Sequence, residues 1–227
     1  MPEQERPQID YYFWLLSDWA YLGGVRLEQM AVRHRVPINH VPLRLPDVYA
    51  RTGGVLLAQR SWQRQAYRVE ELKRWRERLG MPCNIEPRYF PADIDLASCV
   101  VIAAQQRGLA VGALVNALLK AVWADDLDVS DAAVVATILD GHGLDAASLL
   151  DAAASESVRV AYAENTDRAV ANGVFGSPFY LFDGQGFWGQ DRLELLEEAV
   201  VQRLRRDGLA LGRAPQPSSR TEVGTRA

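Results

Sequence analysis

Segments with strand character stand only near the two ends of this chain, and the long stretch between them reads as helix. That order constrains the fold more than any other feature. Ile9 to Leu16 (IDYYFWLL) is aromatic and β-favouring. It is apolar throughout its second half, as a strand covered on both faces requires. Ser17 and Asp18 then precede apolar residues recurring at Leu22, Val25, Leu27, Met30 and Ala31, which is an N-cap signal followed by a helical stripe. Pro37 ends that helix, and Ile38 to Leu45 opens with apolar–polar alternation, a second strand. A β-α-β opening favours a parallel pair with a right-handed crossover. From about Ala58 to Ala171 the spacing predicts helices over 60–79, 94–107, 110–124, 130–141, 145–153 and 156–172. Gly80-Met81-Pro82, Gly108, Gly141 and Gly143 punctuate them. Strand character returns at Phe179–Phe182 and Gly186–Trp188, flanking Asp183-Gly184-Gln185, a hairpin signal. A helix over 190–206 follows, with apolar residues at Leu193, Leu196, Ala199, Val200 and Leu204.

The order is βαβ, a block of helices, then ββα. An α/β sheet interrupted by an all-helical insertion satisfies it. At 227 residues, 48% of them hydrophobic, the chain can bury a sizeable core without disulfides or metal. The stretch from Leu209, rich in Pro, Ser, Arg and Gly, is expected to be disordered. A net charge of −4 gives no electrostatic footprint for nucleic acid. Two cysteines, Cys83 and Cys99, exclude a disulfide framework and a CxxC redox pair, and three scattered histidines make no metal cluster. The opening MPEQERPQ lacks the apolar core of a secretion signal, and Gly108 to Ala124 is too short to span a bilayer. A cytoplasmic protein with free thiols is expected, and no membrane association.

Four places could carry chemistry. Ser17 stands at a strand-to-helix junction, where a hydroxyl caps the helix and where α/β proteins also bind anions. Gly176-Ser177-Pro178-Phe179 is either a turn that sets strand entry or a cis-proline site. Asp191 in a first helical turn favours the macrodipole and equally suits a ligand. Residues 51–90 hold nine Arg or Lys against four Glu, and Arg60, Arg64 and Arg68 fall at i, i+4 and i+8. Such a stripe is a solvated face, or, turned into a cleft, a selector of anionic small molecules. Trp14, Trp19, Tyr21, Trp62, Trp75, Tyr89 and Phe90 read as core.

IDYYFWLLSDWAYL resembles the opening of 2-hydroxychromene-2-carboxylate isomerases, and GVFGSPFYLFDGQGFWGQDRLELLEEA resembles their closing segment. RWRERLGMP, RYFP and KAVWADDLDVSD resemble family segments in the same order, so the resemblance covers about 9–206. That family is related to kappa-class glutathione transferases and DsbA-like oxidoreductases. The fold it implies is a thioredoxin-like domain built from 9–57 and 172–206, split by a helical insertion over 58–171, with 207–227 as the tail. It implies a homodimer that uses glutathione on an anionic aromatic substrate. In the isomerases glutathione adds to the substrate, a ring-opened adduct rotates about a bond, and elimination releases the isomer.

By the same resemblance Ser17 is the serine that hydrogen-bonds the glutathione sulfur. Pro178 is the cis-proline, and Ser177 offers backbone bonds to the cysteinyl part. Gln190 and Asp191 hold the γ-glutamyl end, and Arg64 takes a basic position that could face a carboxylate. Four positions depart from the family pattern: Asp18 replaces Pro, Trp14 replaces Asp, Gly53-Gly54 falls near a ligand-binding Asn, and Asp93 replaces Asn. The expectation is a glutathione-dependent isomerase of an aromatic or conjugated oxo-acid, active in aromatic catabolism. A kappa-like glutathione transferase and a catalytically silent glutathione-binding accessory protein are the alternatives. No metal is expected.

Overall fold

The computed structural model describes residues 6–211. Four strands, β1 (Ile9–Phe13), β2 (Ile38–Pro42), β3 (Phe179–Phe182) and β4 (Gln185–Trp188), form one sheet in the order β2-β1-β3-β4. β1 and β2 are parallel, joined through α1 (Asp18–His34). β3 runs antiparallel to β1, and β4 antiparallel to β3. The two ends of the chain therefore build one thioredoxin-like sheet. Between them lie α2 (Leu45–Thr52), α3 (Trp62–Leu79), α4 (Asp95–Gln106), α5 (Gly112–Trp123), α6 (Ala132–Gly141), α7 (Ala146–Ala153) and α8 (Glu156–Ala171), and α9 (Leu193–Arg206) closes the fold.

The apolar run of β1 has the role its sequence requires. Successive strand side chains point to opposite faces. Tyr11 and Phe13 enter the larger core with α1, α5 and α9, where Tyr11 stacks on Tyr180 at 5.4 Å. Tyr12 enters a second core with Val41, Leu43, Val48, Ala169 and Phe179. Tyr12 and Phe13 are fully buried. Trp123 of α5 is also fully buried and packs on Phe90 at 5.4 Å. Ser17, Asp131, Asp145 and Ser155 cap α1, α6, α7 and α8 with their side chains, satisfying N–H groups that a helix start otherwise leaves orphaned.

Four details differ from the sequence reading. The strands expected over Ile9–Leu16 and Ile38–Leu45 end at Phe13 and Pro42. α2 had no counterpart there, because it is short, carries Pro46 in its first turn and ends on Gly53 in the left-handed region. The hairpin loop is Asp183-Gly184 alone, both with positive φ, and Gln185 belongs to β4. Arg203 and Arg206 of α9 brace the Asp183 carboxylate. Finally, α3 begins at Trp62, so Arg60 precedes the helix in extended conformation, and the three arginines are not one helical stripe.

The tail expected from 207 falls mostly outside the described residues. Within them, Leu209 packs against the core and donates its N–H to the Leu204 carbonyl at 2.8 Å. No helix of the described residues is long and apolar enough to cross a membrane.

Candidate active site

The chain leaves β1 through Trp14, Leu15 and Leu16, and the Ser17 N–H donates to the Trp14 carbonyl at 2.9 Å. This turn sets Ser17 at the head of α1, buried, where its Oγ accepts from the Ala20 N–H at 3.2 Å. The same hydroxyl donates to the backbone carbonyl of Ser177 at 3.0 Å. Ser177 stands two residues before β3, and its own Oγ accepts from the Trp14 N–H at 2.8 Å. The Ser177–Pro178 bond is cis, as is Phe90–Pro91, which the sequence reading did not anticipate. Pro178 in turn offers its carbonyl to the Gly189 N–H at 3.0 Å. A 3-10 turn, Gln190–Arg192, starts at that point. Ser17, Ser177-Pro178 and Gln190-Asp191 thus form one connected ridge of residues, joined by the Ser17 hydroxyl to the Ser177 carbonyl and by the Pro178 carbonyl to the Gly189 N–H.

Their side chains differ in posture. Asp191 is half-exposed, with Arg192 at 3.2 Å from its carboxylate. Gln190 is buried, and its amide oxygen accepts from Arg26 at 2.7 Å. A Cβ on Gly23 would stand 2.8 Å from that of Gln190, so α1 needs glycine there to let the turn dock. What Gln190 presents to the ridge is therefore its backbone. Trp188 packs flat on Gly176, where a Cβ would come within 2.3 Å of the indole nitrogen.

Beside the ridge opens a cleft of about 440 Å³ that includes Ser17 and Ser177. Trp14, Trp19, Leu45, Pro46, Tyr49, Leu56 and Phe90 give it mostly apolar walls. Trp14, Trp19 and Phe90, read from the sequence as core, pack against the core and also wall this cleft, whereas Trp62 and Tyr89, read the same way, are exposed. Asp18, Arg60 and Arg68 supply its charges. Asp18 accepts from the Trp19 N–H at 2.8 Å and forms an ion pair with Arg68, whose guanidinium lies over the Trp123 ring at 5.6 Å. Burial holds the Asp18 carboxyl above the usual carboxylate range, against the pull of Arg68. Sequence reasoning could not foresee this pair, since its members are fifty positions apart and on different helices. Arg64 lies outside the cleft, exposed in an adjoining groove with Trp19, Gln63 and Tyr67.

Cys83 and Cys99 are buried and unbonded, and burial pushes the Cys83 thiol up to about 11. Neither lines the cleft. Among the described residues no three His, Cys, Asp or Glu side chains cluster as metal ligands.

The fold and this site define a thioredoxin-fold protein whose first helix starts on serine instead of a cysteine pair. Residues 8–201 match the family described as DSBA-like thioredoxin domain, and the chain belongs to that family. A 2-hydroxychromene-2-carboxylate isomerase from Sphingobium xenophagum is 29% identical over 196 residues, 85% of this chain and 97% of that protein. Glutathione S-transferase kappa 2 from Caenorhabditis elegans is 25% identical over 212 residues, covering 87% and 93%. Among solved structures, a 2-hydroxychromene-2-carboxylate isomerase superposes with a TM-score of 0.74 at 24% identity, covering 88% of this chain and 97% of that one.

Proposed function

We propose that the protein is a glutathione-dependent isomerase of an aromatic or conjugated oxo-acid, acting as a cytoplasmic homodimer. The observation that carries this reading is the Ser17 hydroxyl: buried at a helix N-terminus, 3.0 Å from the Ser177 carbonyl, at the edge of an aromatic-walled cleft. Similarity to isomerases over nearly their whole length supports the reaction type. Similarity to a kappa glutathione transferase supports the thiol.

The donor set suits a γ-glutamyl-cysteinyl peptide. Ser177 has a carbonyl bonded to a hydroxyl that can turn away, so it can receive a cysteinyl N–H instead. Asp191 keeps a half-exposed carboxylate for an ammonium, and the first N–H groups of the turn at Gln190 suit a carboxylate. Arg64, in the adjoining groove, is available to the glycyl carboxylate. Bound glutathione would supply a thiolate that adds reversibly to a conjugated carbon, lets the former double bond rotate, and departs unchanged.

The residues of this chain do the rest. Ser17 turns its O–H from the Ser177 carbonyl toward the sulfur, and that donor and the N-terminus of α1 both favour the thiolate over the thiol. Ser17 is an orienting donor and not a nucleophile, since no histidine lines the cleft to take its proton. Trp14, Trp19, Tyr49 and Phe90 hold a planar substrate and exclude water.

Stoichiometry tests the reading. Isomerisation of a conjugated aryl oxo-acid, followed by ultraviolet absorbance, should continue for many turnovers on substoichiometric glutathione. One glutathione consumed per product would establish a transferase, and binding without turnover an accessory protein.

A further inference from the structure

We propose that Arg60 is the specificity-determining residue that receives the carboxylate of the second substrate. The inference rests on the isomerase reading above and assigns a cleft residue that it leaves without a role.

Arg60 is half-buried in the cleft wall, and it reaches that position because α3 starts two residues later. Its backbone is extended, with φ −75° and ψ 153°, so the side chain leaves the helical row occupied by Arg64 and Arg68. Two tethers fix the guanidinium. Nε donates to the Val55 carbonyl at 2.8 Å, and Nη2 donates to the Tyr49 hydroxyl at 3.3 Å. The remaining N–H donors are left for a ligand.

Tyr49 is itself held in place. Its ring lies on the backbone of Gly54, where a Cβ would come within 2.1 Å of Cδ1. Gly54 thus leaves room for the ring that carries the hydroxyl steadying Arg60. An arginine fixed in this way loses little conformational freedom when it binds a planar anion.

The charges single out Arg60. Arg68 is neutralised by Asp18 within the cleft. Arg60 pairs with no carboxylate among the described residues, so the cleft carries one uncompensated positive charge. The neighbouring wall is apolar: Leu45, Pro46, Leu56 and Leu57. A cation in such surroundings is poorly screened and favours a desolvated anion over a neutral isostere.

The test is calorimetric titration of trans-cinnamate and of its neutral amide, each with and without saturating glutathione. Wild type should prefer the acid by about tenfold or more, the scale of one hydrogen bond between charged groups. Arg60→Gln should lose that preference while keeping amide and glutathione affinities. Arg60→Lys should keep part of it. Equal binding of acid and amide to wild type would overturn the proposal, as would an acid preference that survives in a folded Arg60→Gln protein. If wild type binds no glutathione, the isomerase reading fails, and the acid–amide comparison still decides the role of Arg60.

Discussion

Replacing Ser17 by alanine should separate what this residue does for the fold from what it does for the thiol. The structure gives the hydroxyl two partners, the Ala20 N–H at 3.2 Å and the Ser177 carbonyl at 3.0 Å, in a buried setting. Losing the cap costs about 1 kcal/mol. Leaving the Ser177 carbonyl without its donor costs about 1–3 kcal/mol more. The sum, about 2–4 kcal/mol, corresponds to a melting temperature lower by about 4–16 °C for a chain of this size. The effect on bound glutathione follows from a different bond. A hydroxyl donating to a thiolate is worth about 1.5–3 kcal/mol, and each pKa unit is worth about 1.4 kcal/mol. The bound thiol should therefore titrate about 1–2 units higher in Ser17→Ala. Affinity at low pH should persist, since the peptide contacts lie at Ser177 and Asp191. Turnover should fall by about 10²-fold or more, the scale of losing one preorganised donor. Ultraviolet titration of the thiolate in both complexes is the deciding assay. An identical thiol pKa in the two proteins would refute the orienting role, whatever happened to the rate.

Three further outcomes are expected. Asp191→Ala should weaken glutathione binding by about 1–3 kcal/mol with little change in melting temperature; calorimetry on the folded variant checks this. Asp18 has a folded-state pKa raised by burial, so its stabilising contribution is complete below the unfolded value of about 4 and is lost as pH rises through the folded value. The urea midpoint of wild type should accordingly fall relative to Asp18→Asn between those two pKa values, and parallel pH profiles for the two proteins would contradict it. Cys83, with its thiol held near pKa 11, and Cys99 should resist a thiol-reactive dye at pH 7.5 in the native state and react after unfolding in guanidinium.

Local chemistry made most of the fold legible. The apolar run at β1, the Ser17 cap and the Asp183-Gly184 turn each depend on neighbours in sequence; the cap stands where its residues indicate, the strand ends three residues early and the turn is one residue shorter than expected. So do the long central helices, whose ends fall within two residues of the expected bounds. α2 was hidden by its length and its proline. The cleft was the least legible part, because it depends on which side chains meet across long separations. Nothing local distinguishes Arg60 from Arg64 and Arg68; the start of α3 does, by releasing Arg60 from the helical row. Nothing local pairs Asp18 with Arg68, or turns Gln190 inward onto Arg26.

The bond between Ser17 and Ser177 spans 160 positions, and β1 receives its second neighbour only when β3 exists. On the ribosome the opening β-α-β unit would wait through the synthesis of seven helices before its sheet could close. At about 5–20 residues per second, that interval is on the order of ten seconds or more. During it the β1 edge that β3 pairs with stays open, and Tyr11 lacks the Tyr180 ring on which it stacks. The intervening helices, rich in local contacts, can form in the meantime. Closure of the sheet is then one late step that completes the central layer and brings Ser17 to Ser177 together. A chain cut short before Ser177 would carry the whole aromatic wall of the cleft and still lack the carbonyl that orients its serine.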